Sequence, residues 1–265
     1  MRRLLLMLLL LSLSFAEFRM TALDVLADVG EGGSAQVTER MHFIITTSYH
    51  QSLYESTISK NDLASWSSAT GSEEVRSHFD NRHVDIDNVV VSPAPLSNCN
   101  ALADLCHGEL VITYTIKPYL DSEGDAIPGT GIFTMDDYKP RTVRYSLNSE
   151  AIYFEGSELG DVILGENVRL TLLLPERAEL VEVRPAPDEE VTGGAIQLSW
   201  TNRVLSHFTC VFEIEDSLDQ EVVGFFVGTR GELSSLLYGP EGIAILALVA
   251  IIIGAYFFLQ TKVKR

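Results

Sequence analysis

Three acidic side chains alternate along the stretch DSEGD, at Asp121, Glu123 and Asp125. Carboxylate oxygens are the ligands that Ca²⁺ prefers, so these residues form the candidate calcium site of the chain. An EF-hand loop that begins at Asp121 needs Gly at its sixth position and Glu at its twelfth, where this sequence has Ala126 and Ile132. A looser calcium site and a solvated acidic loop are therefore the two alternatives, and the solvated loop is the default.

Cysteines supply a second candidate pair, because Cys99 and Cys106 have six residues between them in SNCNALADLCHG. In an exported chain this spacing indicates a disulfide that closes a small loop. A zinc pair is the alternative, but the chain has no C-x-x-C motif and no matching pair of histidines. The third cysteine, Cys210, lies in the strand-like run FTCVFEIE, and we expect a buried free thiol.

The remaining residue patterns predict neither a metal centre nor catalysis. The sequence has no G-x-S-x-G elbow, and the glycines of GEGGSA at 30–35 are spaced unlike a dinucleotide fingerprint and lead into a strand-like run. The histidines form no H-E-x-x-H motif and no close metal pair; they are His42, His50, His78, His83, His107 and His207. The sequence thus predicts no catalytic residue, no cofactor and no enzyme activity.

The net charge of the chain limits the classes of partner that it can bind. Its 265 residues include 37 acidic and 19 basic ones, which gives a formal net charge of −18. A nucleic-acid-binding protein needs a basic face, so this balance argues against nucleic acid as a partner. Residues 17–240 hold 36 of the acids and 14 of the bases, which suits either a protein of a very salty habitat or an ordinary acidic surface protein.

The N-terminus has the pattern of a secretory signal peptide. Arg2 and Arg3 precede a short apolar run at 4–11, and Ser14 and Ala16 are the small residues that a signal peptidase accepts. This pattern predicts a signal peptide over 1–16, with an uncleaved anchor as the alternative. The run is too short to cross a bilayer comfortably, which favours the signal peptide.

The C-terminal segment 242–259 is apolar and uncharged over 18 residues. At about 1.5 Å per residue, a helix of this length just crosses the hydrocarbon core of a bilayer. The basic tail at 260–265 then marks the cytoplasmic side. We expect a single-pass type I protein of the cell membrane, anchored through 242–259, with its ectodomain outside.

The ectodomain opens with a predicted β-hairpin. The runs LDVLADVG and AQVTERMHFIITT flank Gly32 and Gly33, which mark the turn. Within the second run, Val37, Glu39 and Met41 alternate with polar neighbours, as in a half-buried strand.

Helices and a second strand pair follow. The runs at 83–95 and 109–119 are expected to pair with each other across the cysteine loop. The stretch 61–80 has helix start signals at Asn61 and Ser72, so we expect one or two short helices that cover a sheet face.

The second half of the sequence is nearly all strand. Turn signals separate its apolar runs at short intervals, which is typical of an antiparallel sandwich, and Trp200 lies in a core-facing series. The sequence therefore predicts a mainly β protein. An N-terminal α+β domain covers 17–120, a linker or long loop 121–140, and an Ig-like antiparallel β-sandwich 141–230.

Two stretches carry a family resemblance. EGGSAQVTE at 31–39 resembles the DGSAxVTE opening hairpin of exported, membrane-anchored prokaryotic β-proteins, with Gly32 where those proteins have Asp. The stretch 170–200, with its LP strand end, its P-x-P close and a Trp on the next strand, resembles the sandwich strands of uncharacterised archaeal surface proteins. The resemblance implies a β-scaffold and no catalytic residues.

The function we expect is that of a non-enzymatic, membrane-anchored cell-surface protein that binds a partner or scaffolds the envelope. The partner is a protein or another envelope component, and the expected contact surfaces are the loops 48–62, 96–108 and 120–140. One alternative is an accessory subunit of a membrane complex for secretion or glycan transfer, which would use its transmembrane helix as an interface. Another is an anchored hydrolase with an unrecognised active site.

Overall fold

A computed structural model describes residues 18–139, 141–156 and 161–215. The predicted signal peptide, the apolar segment 242–259 and the basic tail lie outside these residues. Within them, no helix is both long enough and apolar enough to cross a bilayer.

Fifteen strands and two short α-helices occur in the described residues, which confirms the mainly β prediction. The strands are β1 (Phe18–Val29), β2 (Ala35–Thr46), β3 (Asp85–Pro93), β4 (Ser97–Asn100), β5 (Leu105–Lys117), β6 (Phe133–Lys139), β7 (Thr142–Leu147), β8 (Glu155–Gly156), β9 (Val162–Ile163), β10 (Val168–Leu173), β11 (Ala178–Arg184), β12 (Glu189–Val191), β13 (Gln197–Thr201), β14 (Val204–Leu205) and β15 (Thr209–Glu215). The helices are α1 (Ser48–Thr57) and α2 (Leu63–Thr70), and short 3-10 turns cover Glu31–Gly33 and Ser149–Ala151.

The described strands form three sheets. The largest has the order β12-β13-β10-β1-β2-β5-β3, with β4 also paired to β5. A second sheet has the order β11-β15-β7-β6, and a small third one has the order β14-β9-β8. Strand β1 runs parallel to β10, while β1–β2, β2–β5 and β3–β5 are antiparallel. Strands from both sides of the stretch 121–140 therefore share the largest sheet.

The predicted opening hairpin is confirmed. Strands β1 and β2 pair antiparallel from Phe18 opposite Ile45 to Val29 opposite Ala35. Gly32 and Gly33 turn the chain between them with φ of 82° and 72°, a region that glycine adopts without steric cost. In β2 every second side chain from Ala35 to Ile45 is buried, so one face of the strand lies against the core.

Helix α1 packs closely on the sheet at Gly108. A side chain at Gly108 would come within 2.9 Å of the Tyr54 ring, so the glycine makes room for that ring. The Tyr54 hydroxyl lies 2.8 Å from the carbonyl oxygens of Ala94 and Glu109. Burial is the main reason that the pKa of Tyr54 is raised to about 12.

The two helices differ from the expected positions. The start signal near Asn61 corresponds to α2, whose cap is Asp62: its carboxylate accepts a 2.8 Å hydrogen bond from the Ser65 N–H. No helix follows Ser72, where the chain forms turns. The N–H of His78, which a helix there would turn toward Glu74, donates instead to a carboxylate of the sheet.

Aromatic side chains fill the core of the second sheet. The Tyr145 ring stacks on Phe212 with centroids 4.7 Å apart, and Phe133 meets Phe212 edge-on at 5.0 Å.

Trp200 is fully buried, as the sequence predicts, and its indole N–H donates to a backbone carbonyl. Cys210 is a buried free thiol, also as predicted, and burial raises its pKa to about 12.

Candidate functional site

The candidate site is an open cleft of about 550 Å³ beside the end of β5. The segment 76–81 forms one wall, and the first half of β3 forms another with Asp85, Ile86 and Val89. Tyr119, just after β5, and Tyr153, just after the second 3-10 turn, complete the lining. We call this site the cleft.

A buried polar cluster of Glu39, His78 and Tyr114 fixes the first wall. Glu39 occupies a core-facing position of β2, and all three side chains are buried. Its carboxylate accepts hydrogen bonds from the backbone N–H of His78 at 2.8 Å, from the ring Nδ1 of His78 at 2.9 Å and from the Tyr114 hydroxyl. Because a buried carboxylate without partners would be very costly, these contacts hold the segment in place.

The charge of His78 is balanced from two sides. Burial disfavours the protonated ring, but the hydrogen bond to Glu39 and the attraction of Glu74 outweigh that cost and raise the pKa of His78. The Glu74 carboxylate lies 3.7 Å from Nε2, which is an ion pair rather than a hydrogen bond. The proximity of His78 lowers the pKa of Glu74 in turn. Burial, followed by the charge of Glu39, raises the pKa of Tyr114 well above its ordinary value, so Tyr114 stays a hydrogen-bond donor.

Backbone pairing joins this wall to the segment that carries Tyr153. Phe79 and Ile152 form an isolated antiparallel bridge. The N–H of Tyr153 donates to the carbonyl of His78 at 2.9 Å, and the N–H of Asp80 donates to the carbonyl of Ala151 at 2.9 Å. Tyr153 therefore keeps a fixed position relative to the wall, and its ring lies 4.4 Å from the Arg76 guanidinium.

Asp80 is the one carboxylate of the cleft that the protein neutralises itself. The side chain of Arg82 donates to both of its oxygens, at 2.5–3.1 Å. These hydrogen bonds hold the pKa of Asp80 below its ordinary value.

Other polar side chains of the cleft have no such partner. Within the described residues, no hydrogen bond reaches the side chains of Arg76, Asn81 or Asp85, and the Nε of Arg76 is buried. The exposed fraction of Tyr153 is 45% and that of Val89 is 40%. The cleft thus offers free donors, free acceptors and apolar surface on a fixed framework.

The predicted calcium residues form a self-contained turn. One oxygen of Asp121 accepts hydrogen bonds from the N–H groups of Glu123 at 2.8 Å and Asp125 at 3.0 Å. These bonds lower the pKa of Asp121. Across the described ranges, no three His, Cys, Asp or Glu side chains come together as a metal site would require. A second cavity, of about 340 Å³, is lined by Pro118 and by later residues of the 120–140 stretch, and Asp136 is the one charged residue among these.

Cys99 and Cys106 form the predicted disulfide. It joins β4 to the start of β5, and residues 101–104 turn the chain between them. Asp104 in this turn holds the neighbouring helix: its carboxylate accepts from the N–H of Ser48 at 3.1 Å, and its carbonyl accepts from the N–H of Thr47 at 3.0 Å. We call this region, 96–108 with the start of α1, the disulfide end.

Two of the three predicted contact loops meet at the disulfide end. These are 96–108 and 48–62, the latter mostly helical because it contains α1. The third, 120–140, follows the opposite end of β5, about 40 Å away at 3.4 Å per residue.

Sequence reasoning missed the cleft because its residues share no motif. Arg76, Asn81, Asp85, Tyr119 and Tyr153 come from separate segments that only the fold brings together. One signal was present: Glu39 stands in the same alternating series as the buried Val37 and Met41, and a charge in a core series needs a partner.

No family model matches the chain, and no curated protein is similar enough to count as a relative.

Proposed function

We propose that this protein is a non-enzymatic binding or scaffolding protein of the cell surface, anchored through 242–259, and that the cleft is its binding site. The observation that carries the proposal is that Arg76, Asn81 and Asp85 line the cleft without a hydrogen-bond partner for their side chains among the described residues. Ligand sites are typically pre-formed cavities of this size with a few placed polar groups.

The location outside the cell is supported by the disulfide. Bonds between cysteines persist in oxidising compartments, and Cys99 lies on the exposed strand β4, where a cytosolic reductant would reach it. The signal-peptide pattern of 1–16 supports the same location.

A two-layer sandwich is the finer architecture we propose. Buried residues of the first and second sheets, such as Val25, Leu170 and Phe212, belong to one apolar core. Two sheets that share a core in this way typically pack face to face. The sandwich we propose combines strands of both predicted parts, 17–120 and 141–230, because β10, β12 and β13 belong to the sheet that holds β1, β2 and β5. The resemblance to archaeal surface proteins is also part of this proposal.

The lysines provide a test of the proposed topology. The chain has five, of which Lys60, Lys117 and Lys139 lie in the proposed ectodomain and are exposed, while Lys262 and Lys264 lie in the tail. Intact cells that express the full-length protein are treated with a membrane-impermeant amine reagent, and labelled sites are mapped by mass spectrometry. We expect label on the first three lysines only, and on the tail lysines after permeabilisation. Label on the tail but not on the first three in intact cells would overturn the topology.

Binding is tested with the full-length protein in mild detergent, mixed with detergent-washed envelopes of its own cells. Detergent removes the contribution of the anchor, so co-sedimentation reports on the ectodomain. We expect the wild type to sediment with the envelope and the double variant Asp85→Ala/Tyr153→Ala to stay in solution. Equal sedimentation of both proteins, or none for either, would contradict binding through the cleft.

A further inference from the structure

The cleft side chains that lack a hydrogen-bond partner suit a ligand rich in hydroxyl groups. Arg76 donates only, Asp85 accepts only, and the Asn81 amide does both. A hydroxyl donates one hydrogen bond and accepts two, so neighbouring hydroxyls of one ligand satisfy all three side chains at once. A ligand with acceptors alone would leave Asp85 unsatisfied.

Ring surface lies beside these polar groups. Tyr153 is 45% exposed although the Arg76 guanidinium lies 4.4 Å from its ring, and the apolar side chains of Ile86 and Val89 also line the cleft. The electron-rich face of an aromatic ring attracts the slightly positive C–H groups of a saturated ring. A pyranose presents both features, hydroxyls at its edge and C–H groups on its faces.

The charges of the cleft disfavour a charged small ligand, and an anionic one most. Asp80 is neutralised by Arg82, which leaves one cation at Arg76 and one anion at Asp85. An anionic ligand would face Asp85 and a strongly acidic chain, whereas a cationic ligand would meet only the local charge of Arg76.

An added peptide strand is disfavoured by the shape of β3. Its pairing with β5 shifts between Asp87 and Val90, and Asn88 between them has a φ of 56°. The N–H of Val91 is already taken by the carbonyl of Asn61. Such bulges keep a sheet edge from accepting another strand.

We propose that the cleft binds an uncharged glycan segment, with Tyr153 against a sugar face and Arg76, Asn81 and Asp85 on its hydroxyls. This inference rests on the proposed function, for which it names the ligand class.

The test uses full-length protein in a detergent without a sugar headgroup, applied to an array of neutral glycans built from glucose, mannose, galactose and N-acetylglucosamine, together with their sulfated and sialylated counterparts. We expect binding to at least one neutral glycan. The variant Asp85→Ala/Tyr153→Ala should weaken it at least about tenfold, since a lost polar contact and a lost ring contact together exceed 1.4 kcal/mol. The milder Asp85→Asn should weaken it less.

Tyr49→Ala is the matched control, because Tyr49 is an exposed tyrosine, at 70%, at the disulfide end. It should bind like the wild type, and unfolding midpoints confirm that all variants are folded. Binding to charged glycans only, to no glycan, or equally in wild type and cleft variants would overturn the inference. If envelope binding depends on the cleft while the array stays silent, the proposed function stands and the glycan class is wrong; if neither assay shows binding, both fail.

Discussion

The two ends of β5 use polar side chains in opposite ways. At the disulfide end, the side chains of Asp104 and Asn100 form hydrogen bonds within the protein. Asp104 accepts from the N–H of Ser48 in α1, and Asn100 accepts from the N–H groups of Leu102 and Ala103. At the cleft, Arg76 and Asp85 have no such partners within the described residues. Polar groups that are satisfied internally stabilise a fold, whereas unsatisfied ones on a rigid wall are available to a ligand.

The largest effect is expected from the cluster behind the cleft. Replacing Glu39 by Ala leaves His78 and Tyr114 buried without their common partner, which should lower the free energy of unfolding by about 3–5 kcal/mol. Urea denaturation measures this loss. Arg40→Ala is the matched control on the same strand, because Arg40 pairs with Glu109 at 3.2 Å on the exposed face. It should cost about 1 kcal/mol or less. Equal effects of the two variants would show that the cluster is not a support of the wall.

The pH dependence of stability tests the contribution of the His78–Glu39 pair. Because the pKa of His78 is raised in the fold, its stabilising contribution is complete below about pH 6.5, the ordinary pKa of histidine, and is lost as the pH rises through the raised value. The difference in urea midpoint between wild type and Glu39→Gln should therefore shrink between pH 6 and pH 9. A difference that stays constant over this range would contradict the charged pair.

A smaller loss is expected at the other end. Removing the disulfide with Cys99→Ser/Cys106→Ser frees a short loop in the unfolded chain, which should cost about 2–3 kcal/mol. A thermal unfolding scan measures it, and added reductant should shift the wild type but not the variant. Ligand binding at the cleft should persist in the folded variant. A loss of that binding would show that the two ends are coupled, against the contrast drawn above.

The smallest loss of stability is expected from the contact between Asp104 and the start of α1. Asp104→Ala removes the acceptor for the Ser48 N–H and should cost about 1 kcal/mol. Amide hydrogen exchange should show faster opening at the start of α1, with little change at His78 and Tyr153. Uniform acceleration along the chain would mean that the cap supports the whole fold rather than one end.

Local patterns predicted the local elements of this fold. Glycines 32 and 33 identified the first hairpin, and alternation placed Trp200 in the core. Helix α1 was missed because no side chain caps it locally: the N–H of Ser48 donates to Asp104, 56 positions away in the sequence. The helix expected after Ser72 does not form, and the N–H of His78 donates to Glu39 across 39 positions of sequence instead. Long-range contacts of this kind also assemble the cleft, and Glu39 in its buried alternating series is the one mark of them in the local pattern.

Parallel pairing of β1 with β10 sets the order in which the chain completes its largest sheet. Leu23 lies beside Val168, 145 positions later. Bringing such distant segments together costs loop-closure entropy, so proteins rich in these contacts fold slowly. Because the chain is synthesised from its N-terminus, the β1–β2 hairpin can form early, but one edge of β1 stays open until β10 has been made. Until then that edge can pair with a strand of another chain, and the hairpin is the segment that a chaperone would have to cover.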